Sequence, residues 1–256
     1  MTAAPRRILV TGASRGIGRA IARAFAARGD RVAVHYGSSE TDAVATLRSL
    51  AGSGHAIIAG DLAIPGESVR IVDAAITALG GLDVLVNNAA VAPSPANLHR
   101  IGEVSLADWQ RAWREALDVN VLGAADASWA LAQHLIARGA PGAIVNVGSR
   151  GAYRGEPDYP AYGASKAALH ALGQSLAVAL APHGIAVASV APGFVGTERQ
   201  AAKLAGDSGD AVREQSPFGA VATPEQVASA VVYLASPEAV WSSGAVLDVN
   251  GASYLR

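Results

Sequence analysis

Along the chain, short runs of β-branched and other apolar residues alternate with longer segments rich in Ala and Leu. The runs at 7–10, 32–36, 56–59, 84–86, 143–147, 186–190 and 245–249 read as strands. Helices are expected between them at 17–27, 41–50, 67–79, 106–138, 161–181 and 224–235. These strands lack a polar residue at every second position, so both of their faces must be covered. That pattern belongs to a parallel sheet flanked by helices on either side. The expected architecture is therefore α/β, a doubly wound parallel sheet of about seven strands. No Pro/Gly/Ser-rich linker divides the chain and no fixed-period repeat runs through it, so residues 1–256 are expected to form a single domain.

Two segments interrupt the alternation. One, at 91–102, follows the fourth strand and carries Pro93 and Pro95; the other, at 196–219, follows the sixth and is charged between Glu198 and Glu214. In an open parallel sheet, ligands sit beyond the carboxyl ends of the strands, so both segments are candidate walls of a substrate site, with plain surface loops as the alternative. The second is the stronger candidate, since long excursions in compact domains are usually functional or disordered.

Composition narrows the function. With 51% apolar and 16% charged residues the chain is globular rather than disordered. A net charge of −1 without clustered Lys or Arg leaves no electrostatic footprint for nucleic acid or an anionic membrane, and neither partner is expected. The absence of cysteine removes disulfides, thiolate nucleophiles and Cys-ligated zinc, and the six histidines are never closer than 13 residues, so no metal site is expected. The first apolar run, Ile8-Leu9-Val10, is too short for a secretory segment, and none reaches the roughly 18 residues of a membrane span. A cytoplasmic location is expected.

The first strand runs directly into Thr11-Gly12-Ala13-Ser14-Arg15-Gly16-Ile17-Gly18 and then a helix. Such a turn places backbone N–H groups and the positive helix end where a pyrophosphate can sit, and its glycines allow close approach. The same residues satisfy G-x-S-x-G, the nucleophile elbow of α/β-hydrolases, but no distinctive acid and histidine follow to complete that reading. Further on, Tyr162-Gly163-Ala164-Ser165-Lys166 opens a helix, and a spacing of four puts phenol and ammonium on one face. A free tyrosine has a pKa of about 10, so proton exchange near neutrality calls for a nearby cation, which Lys166 supplies. Ser149 ends the run Ile144-Val145-Asn146-Val147-Gly148-Ser149, from which a hydroxyl reaches a carbonyl oxygen in the crevice. Taken alone, a Tyr on a helix surface and a solvated Lys would be the ordinary explanation of Y-x-x-x-K.

Together with Asp61 in Gly60-Asp61-Leu62, Asn87-Asn88-Ala89-Ala90, Asn120 in Asp118-Val119-Asn120-Val121, and Pro192-Gly193 followed by Thr197, these motifs extend from Arg7 to Gly251. In them the chain resembles the classical short-chain dehydrogenase/reductase family, particularly its 3-oxoacyl-(acyl-carrier-protein) reductases and sugar dehydrogenases. It departs from the family in Ala90, where glycine is usual, and in Asn250-Gly251-Ala252, where Asp-Gly-Gly is common. The resemblance implies a Rossmann fold and a catalytic tetrad of Asn120, Ser149, Tyr162 and Lys166. Tyr162 would be the general acid or base, Ser149 the donor to the developing oxyanion, Lys166 the cation that lowers the tyrosine pKa and binds ribose, and Asn120 the holder of a proton-relaying water. It also implies cofactor contacts from Gly12, Ser14, Arg15, Gly16, Ile17, Gly18, Tyr36, Asp61, Leu62, Asn88, Ala89, Tyr162, Lys166, Pro192, Gly193, Val195 and Thr197. For Asp61, a helix N-cap after the third strand is an equal alternative.

The second strand ends His35-Tyr36-Gly37-Ser38-Ser39, without the carboxylate that NAD enzymes place about 20 residues past the glycine turn. Arg15 is placed to neutralise a 2′-phosphate, with Ser38 or Ser39 as donors, so NADP(H) is the expected cofactor and NAD(H) the alternative. The implied reaction interconverts a small-molecule carbonyl and a secondary alcohol, with Tyr153, Tyr159 and Phe194 as candidate pocket residues. An NADP(H)-sensing regulator without turnover, or an NAD-dependent sugar or alcohol dehydrogenase, is the competing reading. The helix at 161–181 is Ala/Leu-rich nearly all round and needs cover on a second face, and the resemblance points to a homotetramer, or a homodimer, built on it and on the preceding helix with Trp129, Leu131 and Leu135.

Overall fold

The computed structural model describes residues 5–206 and 209–256. Seven strands form one parallel sheet: β1 Arg7–Val10, β2 Arg31–Tyr36, β3 Ala56–Ala59, β4 Val84–Asn87, β5 Gly142–Val147, β6 Ile185–Pro192 and β7 Val246–Val249. Each expected strand is present, within two residues at either end. In chain order the helices are α1 Gly16–Ala27, α2 Glu40–Arg48, α3 Glu67–Leu79, α4 Leu106–Leu117, α5 Ala124–Arg138, α6 Gly151–Arg154, α7 Pro160–Leu180, α8 Ala201–Ala205, α9 Gly209–Arg213 and α10 Pro224–Leu234.

Alternate strand residues serve opposite faces. Ile8, Val10, Val32 and Val34 pack with Ile21 and Phe25 of α1 and Val227 and Val231 of α10, whereas Leu9, Leu85 and Ile144 pack with Ile71 of α3 and Leu131 and Leu135 of α5. All of these side chains are fully buried, which is why the sequence shows continuous apolar runs instead of a polar alternate. The sheet order is β3-β2-β1-β4-β5-β6-β7, the doubly wound Rossmann arrangement, whose direction of progression reverses between β1 and β4. The amino ends of the strands are closed by ion pairs: Arg6 donates to Asp30 and Arg7 to Asp83, each through two guanidinium nitrogens at 2.5–3.2 Å. The carboxyl ends are left to the loops.

Two segments differ from the plainest reading of the pattern. The stretch 106–138 is not one regular helix, because a π-helical turn, Asp118–Gly123, separates α4 from α5 and turns Asn120 inward. The excursion at 196–219 is not plain loop, since it contains the turn Glu198–Gln200, α8 and α9; its positions 207–208 lie outside the described residues. No helix among the described residues is long and apolar enough to cross a membrane, and no group of three or more His, Cys, Asp or Glu among them is placed to hold a metal.

Candidate active site

The glycine turn is built around Thr11, absent from the residues singled out by sequence. Buried at the end of β1, its hydroxyl donates to the Val86 carbonyl at 3.2 Å and accepts from the N–H groups of Asn88 and Ala89 at 2.9 and 3.0 Å, tying β1 to β4. Asn88 completes the clasp, its amide donating to the carbonyls of Thr11 and Gly12 at 2.8 and 3.0 Å. Its amide nitrogen thus braces the turn. Gly12 has φ 62°, and a Cβ there would stand 2.9 Å from the Ala89 Cα; a Cβ on Gly18 would stand 2.3 Å from the Gly12 carbonyl. No side chain fits at either place. The first turn of α1 carries no acidic residue, and Arg15 at its N-cap makes no side-chain cap, so its N–H groups are free of side-chain partners. Ile17 packs on the core beneath, and the Ser14 carbonyl accepts from Arg19 and Thr46.

His35 was likewise unassigned. Its Nδ1 accepts from the Gly12 N–H at 3.1 Å and its Nε2 donates to the Gly60 carbonyl at 3.0 Å, bolting the glycine turn to β3. Burial pushes its pKa down to about 4. The unfolded chain, with histidine near 6.5, therefore binds the extra proton first, and stability present above about pH 6.5 is lost as pH falls toward 4, by up to about 3 kcal/mol from this residue. A Tm measured from pH 7 to 4.5 should fall, and His35→Gln should flatten that fall; an undiminished slope would place the acid lability elsewhere.

Around the turn lie the other expected cofactor contacts. Arg15 and Ser38 are exposed and Tyr36 is partly buried, but the Ser39 hydroxyl donates to Asp42 at 2.7 Å and is already engaged. Asp61 is not a helix cap: its carboxylate accepts from Ala63 N–H at 3.0 Å in a turn well before α3. Leu62 is buried against Gly123. Beyond β6, the Pro192 carbonyl accepts from Arg150 N–H, Gly193 donates to Val249, Val195 bridges to Ala222, and Thr197 lies over Gly16, 3.3 Å from where its Cβ would be.

The structure brings Ser149, Tyr162 and Lys166 together beyond β5. Lys166 is 2% exposed, its ammonium donating to the Val147 carbonyl at 2.8 Å and lying 5.9 Å from the centre of the Tyr162 ring. Ser149 hydrogen-bonds to Tyr162 and accepts from Gly151 N–H at 3.0 Å. Asn120, 1% exposed, is fully engaged with Val91 N–H at 2.8 Å, the Val91 carbonyl at 3.3 Å and Ser165 Oγ at 2.9 Å, clasping the π turn to α7. Burial raises the Tyr162 pKa against the lowering by Ser149 and Arg199, while burial pushes Lys166 down to about 7. Phenol and ammonium share one dry pocket, where desolvation disfavours both charged forms.

Arg199, read from sequence only as part of a charged excursion, acts on Tyr162, Lys166 and Arg15, which places it beside the tetrad. The segment 91–102 docks through His99, whose Nε2 accepts from Ala161 N–H at 3.0 Å, with Tyr159 packed edge-on against its ring. The Phe194 ring is approached by both Arg150 and Lys203, 5.1 and 4.9 Å from its centre. Tyr153, in contrast, turns away to stack on His170 and meet Arg256. A cavity of about 400 Å³ is lined by Arg150, Phe194, Val212 and Asn250, and none of Asn120, Ser149, Tyr162 and Lys166 lines it.

Comparison with known proteins places this geometry. The family described as enoyl-(acyl carrier protein) reductase matches residues 12–252. The chain is 35% identical to the L-rhamnose 1-dehydrogenase (NAD(P)(+)) of a Sphingomonas species, over 98% of this chain and 97% of that protein. It is 37% identical to the 3-oxoacyl-(acyl-carrier-protein) reductase FabG of Vibrio cholerae, over 96% of each. Among solved structures, a short-chain dehydrogenase from Burkholderia cenocepacia in complex with NADP aligns with TM-score 0.84 and 35% identity over 97% of both chains. With a glycine turn no side chain could enter, and a serine, tyrosine and lysine gathered beyond β5, the chain belongs to the short-chain dehydrogenase/reductase family, oxidoreductases that act between CH–OH and C=O groups.

Proposed function

We propose that the protein is an NADPH-dependent oxidoreductase, working as a single nucleotide-binding domain, that interconverts a carbonyl and a secondary alcohol with Tyr162 as general acid and base. The observation that carries this reading is the gathering of Ser149, Tyr162 and Lys166 two strands from a glycine turn sterically closed to side chains. The residues present fit a dinucleotide: Gly12, Gly18 and the free first turn of α1 for the pyrophosphate, Thr197 across the turn, and Arg15 with Ser38 for a 2′-phosphate. Such a cofactor, when bound, supplies or accepts the hydride.

The chain's own residues manage the proton. In reduction the Tyr162 hydroxyl donates to the oxygen of the substrate while Ser149 donates a second hydrogen bond to the same developing charge. Lys166, poised near neutrality, exchanges a proton with the phenol without either group having to stay charged in the dry pocket. Asn120 holds α7 in place and, by the resemblance, holds the water through which a proton reaches Lys166. Exposed Leu122 on the π turn, Trp129 on α5 and Val178 on α7 support the homotetramer, or homodimer, assembled on these helices.

The test is oxidation of NADPH and NADH at 340 nm against 3-oxoacyl thioesters, diketones, keto-sugars and cyclic ketones. Turnover supports the reductase, whereas tight nucleotide binding without turnover on any carbonyl would favour a sensor. Arg15 makes no ion pair among the described residues, so Arg15→Ala should lower kcat/KM for NADPH about 10- to 100-fold and leave NADH little changed. An equal loss for both nucleotides would defeat the NADPH preference.

A further inference from the structure

We infer that Glu156 is a specificity-determining residue whose carboxylate accepts a hydrogen bond from a second hydroxyl of the substrate, which makes the substrate a neutral polyhydroxylated, sugar-like alcohol or its carbonyl counterpart. The inference rests on the oxidoreductase reading above and goes on to name its substrate class.

Glu156 stands in the segment between Ser149 and Tyr162, and glycines at both ends make room for it. A Cβ on Gly151, two residues past Ser149, would lie 2.6 Å from its Oε1, and one on Gly163, next to Tyr162, would lie 3.5 Å from its Cβ. Its charge is felt at Tyr162. The side chain is partly buried, yet among the described residues it has neither a hydrogen bond nor an ion pair, and burial raises its pKa. Every charged neighbour is otherwise engaged. Arg150 holds Ser253 and Gln215, Arg154 donates to the same Gln215, Asp158 pairs with Arg100, and Lys203 lies over Phe194. A carboxylate that served only to fasten this segment would be bonded to it. One left with its lone pairs open beside the reacting groups is an acceptor awaiting a donor.

The surroundings decide which donor. Arg150, Arg154 and Lys203 act on Glu156 against one further carboxylate, Asp158, so an ammonium group would enter a field in which cations outnumber anions. A substrate carboxylate would meet Glu156 itself. Neutral hydroxyl groups satisfy the carboxylate and offend neither charge. The reaction would balance in the ordinary way: a CH–OH group is oxidised to C=O, a bound nicotinamide cofactor would accept its hydride, and Tyr162 takes its hydroxyl proton while passing the phenol's own proton to neutral Lys166, the second hydroxyl being unchanged.

The experiment compares kcat/KM for an aldohexose and its 2-deoxy counterpart, and for cyclohexane-1,2-diol and cyclohexanol, in wild type, Glu156→Gln and Glu156→Leu. Wild type should favour the hydroxylated member of a pair by about a hundredfold or more, and Glu156→Leu should bring that ratio near unity, with Glu156→Gln between. An unchanged ratio in Glu156→Leu, or an equal loss on both members, would overturn the inference. The polyol-induced rise in Tm of the NADP-loaded protein reads binding apart from turnover. A rise abolished by Glu156→Leu upholds the site even where no alcohol is oxidised, a result that would sink the oxidoreductase reading alone. A rise that persists in the variant overturns the site.

Discussion

Tyr162→Phe is expected to lower kcat about a thousandfold or more while leaving the dissociation constants of NADPH and NADH within about twofold. The substitution removes one oxygen and keeps the ring. Thr11, Asn88 and the glycine turn, which shape the nucleotide site, lie on β1 and β4 and do not depend on the phenol. Loss of the hydroxyl strips the reacting oxygen of its proton donor, and Ser149, still present, can hydrogen-bond to that oxygen but has no cation behind it to renew a proton. Absorbance at 340 nm and quenching of protein fluorescence by nucleotide separate the two effects. Retention of more than about a tenth of the activity would remove Tyr162 from the chemistry.

The proton balance of the pair also fixes a pH expectation. Burial raises Tyr162 and lowers Lys166 to about 7, so the proton-accepting state of the pair forms near neutrality. Alcohol oxidation, which needs a proton acceptor, should therefore gain rate as pH rises through about 7, and the inflection belongs to the coupled pair and to neither residue singly.

The sheet was legible because burial on two faces leaves an unmistakable trace: Ile8-Leu9-Val10 and Ile144-Val145 are apolar without interruption, and glycines punctuate the strand ends. That Tyr162 and Lys166 share one helix face was legible from their spacing of four, whereas Asn120 and Ser149 joined them only through the family resemblance. What sequence did not convey is how polar groups are consumed. Asn88 and Ser39 read as ligand contacts, yet Thr11, Gly12 and Asp42 claim their donors. Asp61 read as a helix cap or a ligand and closes a local turn. Tyr153, near Ser149 in sequence, follows the short α6 away to His170. The π turn at Asn120 adds a residue to a helical repeat whose apolar pattern looks continuous, so nothing in the periodicity announces it. Each of these outcomes depends on a partner distant in the chain, and a local pattern carries no record of that.

Lys166→Met should abolish turnover and, at neutral pH, raise the Tm of the nucleotide-free protein by several degrees. The ammonium is held in the interior by a single carbonyl, that of Val147, and no carboxylate pairs with it among the described residues. Its pKa of about 7 in the fold against 10.5 in the unfolded chain is a free-energy debt. Between those values the unfolded state binds the extra proton, so the debt is full below pH 7 and fades as pH rises toward 10.5. The ceiling is about 5 kcal/mol, from roughly 1.4 kcal/mol per pH unit. Relaxation and the lost Val147 bond reduce the expected gain to about 1–3 kcal/mol, or about 2–10 °C for a chain of this size. Methionine keeps the length and apolar stem of the side chain and deletes only the charge. Thermal unfolding of both proteins at pH 6.5 and pH 9.5 is the decisive comparison, since the advantage of the variant must shrink at the higher pH. A variant less stable at both would mean that Lys166 fastens β5 through Val147 and stores no strain. A gain at pH 6.5 with lost activity would show that the fold holds this cation at a cost for its chemistry, since structure alone would favour an uncharged residue there.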